Sequence, residues 1–263
     1  MRIEIKRHLK SYMKRARGKI AEHKLYKQNE VCQKLNQHPK AKGIFSTSLF
    51  GNLEEPSLYE RYIKPLLVNA ELVKELFPTW VLRIYVSRDF SEKLIEQFLS
   101  LDCEVYVMCQ NSNGYSGTLW RFLPLAETKP FICIDSDMYL TAETAGVNLL
   151  KPEMERWLSS GKPYYKRRIN LANLYIPLCA GMWGGNPKNG KPLMPNIKEL
   201  ISKYDTSEYG GDEAFLTREV WPEFKKHSYH TELNFSEIIL FAVIITIVLI
   251  LIYVGYRKIK KHW

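Results

Sequence analysis

Phe131-Ile132-Cys133-Ile134-Asp135-Ser136-Asp137 is the stretch on which the reading of this chain turns. Four apolar residues form a short buried run, the pattern of a strand inside a sheet covered on both faces. Two carboxylates two residues apart follow at once, where the backbone leaves the sheet. In open α/β sheets ligands gather at the carboxyl ends of the strands. Hard oxygen ligands placed there suit a divalent cation that bridges a diphosphate and neutralises charge on a leaving phosphate. The competing reading of the same residues is a solvated turn or a helix cap.

The segments upstream supply the rest of the sheet. Gly43 to Leu49 is an apolar run that stops at Gly51-Asn52. Pro56 then opens a long helical pattern carrying Tyr59, Tyr62, Leu66, Leu67, Ala70, Val73 and Leu76 as far as Phe77-Pro78. Val81 to Val86 reads as a strand, Ser91 as the cap of a helix carrying Leu94, Ile95, Phe98 and Leu99, and Glu104 to Met108 as another strand. A helix around Leu119 to Leu125 leads into the strand at Phe131. Short apolar strands alternating with helices predict a largely parallel sheet with helices on both faces, the α/β class.

Charge belongs to the ends of the chain. The 263 residues carry a formal +10, but residues 1 to 42 hold 13 Lys and Arg against three Glu, and residues 257 to 263 add four basic residues without an acid. The central domain therefore lacks the basic surplus of a groove that tracks nucleic-acid phosphates. Ile5, Leu9, Tyr12, Met13, Ala16 and Ile20 recur at helical spacing among lysines and arginines, which predicts a basic amphipathic helical arm within residues 1–42. That arm suits either a solvated helix or a surface attracted to anionic lipid.

Ile238 to Tyr256 is a run of 19 uncharged residues, about 28 Å as a helix at 1.5 Å per residue, and predicts one membrane span. The expected layout is an arm at 1–42, a main domain at 43–230, a linker at 231–237, the span at 238–256 and a basic tail at 257–263. Orientation draws opposite arguments. No apolar leader follows Met1, which favours a C-terminal anchor with the domain in the cytosol, whereas the basic tail favours a cytosolic C-terminus. The expectation adopted is a cytosolic domain. Cys32, Cys103, Cys109, Cys133 and Cys179 are odd in number and scattered, so reduced thiols are expected.

Two further segments carry candidate chemistry. Ala180-Gly181-Met182-Trp183-Gly184-Gly185 sets an indole among small residues, either a tight turn with a core Trp or a place where backbone approaches a ligand closely. Tyr209-Gly210-Gly211-Asp212-Glu213 opens a helical pattern. Asp212 reads either as an N-cap or, with Glu213, as an acid reaching into a cleft as acceptor-binding group or catalytic base. His227 and His230 are candidate metal or phosphate ligands or ordinary surface histidines.

In order, Gly117-Thr118-Leu119-Trp120-Arg121-Phe122, Asp135-Ser136-Asp137, Glu155 to Lys162, Ala180 to Gly185, Asp212 to Leu216 and Trp221-Pro222 resemble the landmarks of GT-A-type nucleotide-sugar glycosyltransferases. The likeness is closest to bacterial and large-virus glycosyltransferase-like proteins and covers roughly Lys42 to His230. It implies a single GT-A domain, a nucleoside-diphosphate sugar donor, and a glycan, lipid or protein acceptor. It further implies that Ser46, Thr47 and Ser48 lie against the nucleotide, and that Trp120 and Arg121 line the donor side. Asp135 and Asp137 would hold Mn²⁺ or Mg²⁺ on the sugar diphosphate, Trp183, Gly184 and Gly185 would shape the sugar or acceptor pocket, and Asp212 or Glu213 would face the acceptor hydroxyl. The chain departs from the family in carrying Ile134 before the first acid of the pair and Met138-Tyr139 after the second.

Two other readings differ in class. Asp135 to Thr141 approximates the aspartyl-phosphate loop of haloacid-dehalogenase-like phosphatases, although that loop usually follows a first strand. A nucleotide-sugar or glycan binding module without catalysis would use the same scaffold.

Overall fold

Gly43–Leu49, Trp80–Val86, Glu104–Met108 and Phe131–Cys133 form the strands β2, β3, β4 and β5 of one sheet, in a computed structural model that describes residues 29–111, 115–140, 147–166, 178–204, 210–230 and Thr246. All seven residues of β2 and all five of β4 are buried, which is what apolar runs in a doubly covered sheet require. The chain divides into two compact units, Met1–Tyr229 and His230–Trp263, and the fold described is that of the first. The expected linker and tail, and the expected span apart from Thr246, lie outside the described residues, as does the predicted amphipathic helix at 5–20. Among the described residues no helix is long and apolar enough to cross a membrane.

The sheet order is β1-β4-β3-β2-β5-β7-β6-β8, with β1 at Val31–Leu35, β6 at Tyr164–Lys166, β7 at Trp183–Gly185 and β8 at Ser228–His230. β4, β3, β2 and β5 are mutually parallel, whereas β1 joins β4, and β7 joins both β5 and β6, antiparallel. The expectation of a largely parallel sheet thus holds for its centre and fails at its flanks. β1 also lies inside the segment assigned to the N-terminal arm.

Each face of the sheet buries its own core. Phe45, Leu82, Ile84, Val86, Ile132 and Ile134 point to one side, where helix α1 packs with Leu66, Ala70 and Val73. This helix runs through Pro56–Leu58, a π-helical turn at Tyr59–Ile63, and Lys64–Leu76. Helix α2, Glu92–Ser100, adds Leu94, Ile95 and Phe98 to that face, its start capped by the Ser91 hydroxyl as expected. Helix α3, Val147–Ser160, contributes Trp157 to the same core.

The alternate residues Ile44, Val81, Tyr85, Phe131 and Cys133 point to the other side. There they meet a 3₁₀ helix at Ser116–Ala126, helix α4 at Ile197–Lys203, and helix α5, which continues from Gly211–Phe215 through a π-helical turn at Leu216–Val220 to Trp221–His227. The period of two along β5 fixes which face Asp135 joins: that of Phe131 and Cys133, under the 3₁₀ helix.

Cysteine chemistry corrects the expectation of reduced thiols. Cys32 in β1 and Cys109 at the end of β4 form a disulfide with Cα atoms 4.8 Å apart, leaving Cys103, Cys133 and Cys179 as thiols. The bridge ties an edge strand across 77 residues of sequence, a pairing that spacing along the chain does not reveal.

Candidate active site

The parallel strands enter the sheet in the chain order β2, β3, β4, β5, yet stand side by side as β4-β3-β2-β5. The chain moves outward from β2 in one direction and then returns to its other side. The crevice at such a reversal, beyond the carboxyl ends of the two strands that flank it, is where ligands bind in open α/β sheets. A cavity of about 490 Å³ opens there. Ser48, Leu49 and Phe50 enter it from β2, and Asp135, Ser136 and Asp137 from β5. Arg121 of the 3₁₀ helix and Asp212 and Glu213 of α5 close one side, and Arg61 and Tyr62 of α1 lie at another.

Arg121 is the centre of the arrangement. Its side chain is 9% exposed, and its two terminal nitrogens donate to different carboxylates, Nη1 to Asp135 Oδ1 at 2.5 Å and Nη2 to Asp212 Oδ2. The backbone under it is pinned as well. The Arg121 carbonyl accepts from Ser46 Oγ at 2.8 Å and from Cys133 Sγ at 3.3 Å, two side chains that face each other across the β2–β5 ladder. Burial pushes the guanidinium pKa down, but the charges of Asp135 and Asp212 more than reverse this, and it stands above its ordinary value.

Asp135 is held from below by a glycine. A Cβ at Gly181 would collide with the Asp135 carboxylate, so only glycine lets that segment pass so close beneath the acid. Asp137 sits further out, with its side chain 40% exposed and paired with Arg61 at 3.4 Å. The loop after Asp137 is clamped by Asn69, a polar residue buried on the apolar face of α1. Asn69 Nδ2 donates to the Met138 carbonyl at 2.8 Å, and its Oδ1 accepts from Leu140 N–H at 2.7 Å.

The N-cap of α5 is Gly210, with φ +80°, so Asp212 is not the cap but lies inside the first turn with its side chain committed to Arg121. Glu213 is only partly buried and differs in character. Burial raises its carboxyl above the ordinary Glu range, and the nearby Asp212 and Asp135 carboxylates raise it further. Arg121 and a backbone hydrogen bond from Ala180 act the other way without cancelling the rise.

The structure brings Ser48, Arg121, Asp135, Asp137, Asp212 and Glu213 to one cleft. It does not bring the other residues expected there. Ser46 and Thr47 are fully buried within β2, Ser46 serving to hold the Arg121 backbone. Trp120 is fully buried, and its indole N–H donates to Asn29 Oδ1 at 3.1 Å, away from the cleft.

Trp183, Gly184 and Gly185 form strand β7 in the sheet interior instead of a ligand pocket. A Cβ at Gly184 would strike the Phe131 carbonyl, and one at Gly185 the Phe131 ring, so these glycines permit strand packing. His227 is exposed at the end of α5 and lines no part of the cleft, and His230 lies in β8 with its side chain outside the described residues. Arg61, Asn69 and the seat beneath Asp135 were not anticipated. A buried Asn on an otherwise apolar helix face was the one signal available for the second of these.

Among the described residues no group of three or more His, Cys, Asp and Glu side chains is gathered to hold a metal ion. Mg²⁺-like sites, however, commonly use only one or two carboxylates and complete their shell with water and substrate phosphates. Asp135 and Asp137, hard oxygen donors lining one cleft, fit that kind of site. Comparison with models of known protein families gives no match for this chain, and comparison with curated proteins gives none.

Proposed function

We propose that the protein is a metal-dependent glycosyltransferase of GT-A type, moving a sugar from a nucleoside diphosphate to a hydroxyl acceptor. The observation that carries this reading is the convergence of six residues, singled out separately along the chain, on one cleft at the reversal point of the sheet. Its volume lies in the range of small-molecule sites. Asp135 and Asp137 would hold Mn²⁺ or Mg²⁺, which when bound supplies positive charge to the departing diphosphate.

Glu213 is the base in this reading. With its carboxyl raised toward working pH, it takes the proton of the acceptor hydroxyl as the new bond to the anomeric carbon forms. The bond from that carbon to the diphosphate oxygen breaks, and its electron pair leaves with the nucleotide. Asp212 is held by Arg121 and positions the first turn of α5, and Arg121 in turn orients Asp135.

For the membrane arrangement, residues 238–256 supply the proposed anchor. The Cys32–Cys109 disulfide favours an oxidising compartment for the domain, and the basic tail favours the cytosol for the C-terminus. Together they support the orientation opposite to the one expected from the sequence.

The test is nucleotide release from a panel of nucleoside-diphosphate sugars by the full chain in detergent, each supplied together with glycan, lipid and peptide hydroxyl acceptors. Release is expected with Mn²⁺ or Mg²⁺ and not with a chelator. Release that persists with the chelator, or cleavage of an aryl phosphate in its place, overturns the reading. Metal-dependent binding without release identifies a non-catalytic module instead.

A further inference from the structure

Two arginines line the cleft among the described residues, and they are not equivalent. Arg121 is buried and has committed both terminal nitrogens to carboxylates. Its Nε has no hydrogen-bond partner among the described residues but is buried, so a diphosphate in the cleft meets a guanidinium whose position depends on the pairs with Asp135 and Asp212. Arg61 stands opposite on the π-helical turn of α1, with its side chain 61% exposed and stacked over Tyr62 at 4.9 Å from the ring centre. Its ion pair with Asp137 is single and long, 3.4 Å from Nη2 to Oδ2. A guanidinium carries five donors in a fork that matches phosphate oxygens. Most of that capacity at Arg61 is not used by Asp137.

We infer that Arg61 is a diphosphate-binding residue of this cleft, exchanging Asp137 for the donor's phosphate oxygens when a divalent cation takes over that carboxylate. The inference rests on the metal-dependent transferase reading and adds to it the cation that receives the leaving group. The exchange follows from competition. Arg61 and a metal ion would compete for the one Asp137 carboxylate, and a phosphate group arriving with the metal offers the displaced guanidinium a better, bidentate partner. In the reaction the fork neutralises charge on the phosphate oxygen that keeps the electron pair of the broken bond.

Competition gives the test two readouts of opposite sign. The full chain in detergent is titrated with Mn²⁺ alone and with inorganic pyrophosphate in saturating Mn²⁺, for wild type, Arg61→Gln and Arg61→Lys. Loss of the exposed ion pair in Arg61→Gln is expected to tighten Mn²⁺ binding about two- to fivefold. Pyrophosphate binding is expected to weaken roughly 10- to 100-fold, the worth of charge-assisted hydrogen bonds. Arg61→Lys retains a charge but no fork, and is expected to keep the wild-type Mn²⁺ affinity and lose part of the pyrophosphate affinity.

Parallel weakening of both ligands in Arg61→Gln reveals a merely structural role and overturns the inference. Unchanged pyrophosphate binding in that variant overturns it too, while leaving the transferase reading in place. A wild-type chain that binds neither Mn²⁺ nor the pyrophosphate complex overturns both.

Discussion

Replacing Glu213 by Gln is expected to lower turnover of the full chain by about 10²- to 10⁴-fold, the usual worth of a positioned base. Donor affinity should stay within a factor of about three, because the proposed reading sets Glu213 against the acceptor and not the diphosphate. The pH dependence separates a base from a packing residue. A base works only when deprotonated, so the rate falls as pH drops through its pKa. Burial and, after it, the Asp212 charge raise the Glu213 carboxyl, and neither cause is removed when a cation sits on Asp135. The acid limb of kcat/KM is therefore expected above the ordinary Glu value of about 4.3 and should vanish in Glu213→Gln. An acid limb that survives the substitution assigns the proton to another group.

The second large effect concerns stability. Arg121→Met leaves Asp135 and Asp212 facing each other across the space the guanidinium filled. Removing one partner of a buried ion pair costs about 3–5 kcal/mol. Because the Asp135 side chain is 32% exposed and water can partly replace its partner, the lower end applies. For a domain of this size a loss of about 3 kcal/mol lowers Tm by roughly 6–12 °C. Arg121→Met/Asp135→Leu/Asp212→Leu, which removes the stranded charges together, should recover most of the loss, since apolar replacement of a whole ionic cluster is often neutral. A single variant that melts within about a degree of wild type would show that the bridge holds nothing in place.

The elements that follow hydrophobic period were legible without coordinates. β2, β3 and β4 announce themselves as apolar runs, and α1 and α2 as helical patterns with caps or proline at the start. Elements fixed by distant partners were not. β1 is hard to read because it stands in a basic stretch and its residues alternate between exposed and half-buried at a sheet edge as far as the buried Leu35, and only the disulfide to Cys109 and the ladder with β4 mark it as a strand. β7 carries two adjacent glycines, which sequence rules assign to turns. Their reason is spatial: the Phe131 backbone and ring leave no room for a side chain.

The candidate site divides along the same line. Carboxylates at the end of a strand and at the start of a helix can be recognised as chemistry wherever they stand in the sequence. The groups that hold them in place come from far away. Arg121 meets Asp212 across 91 residues, Arg61 meets Asp137 across 76, and Asn69 clamps Met138 across 69. Trp183 misled for the converse reason, since an indole among glycines carries the same letters whether it lines a pocket or fills a core.

The most direct measurement is calorimetric titration of nucleoside-diphosphate sugars into the full chain, with and without Mn²⁺, for wild type and Asp137→Asn. Saturable binding is expected only for wild type with the metal, and none for Asp137→Asn under either condition. Binding that needs no metal and is untouched by the substitution would contradict a cation-held diphosphate in this cleft.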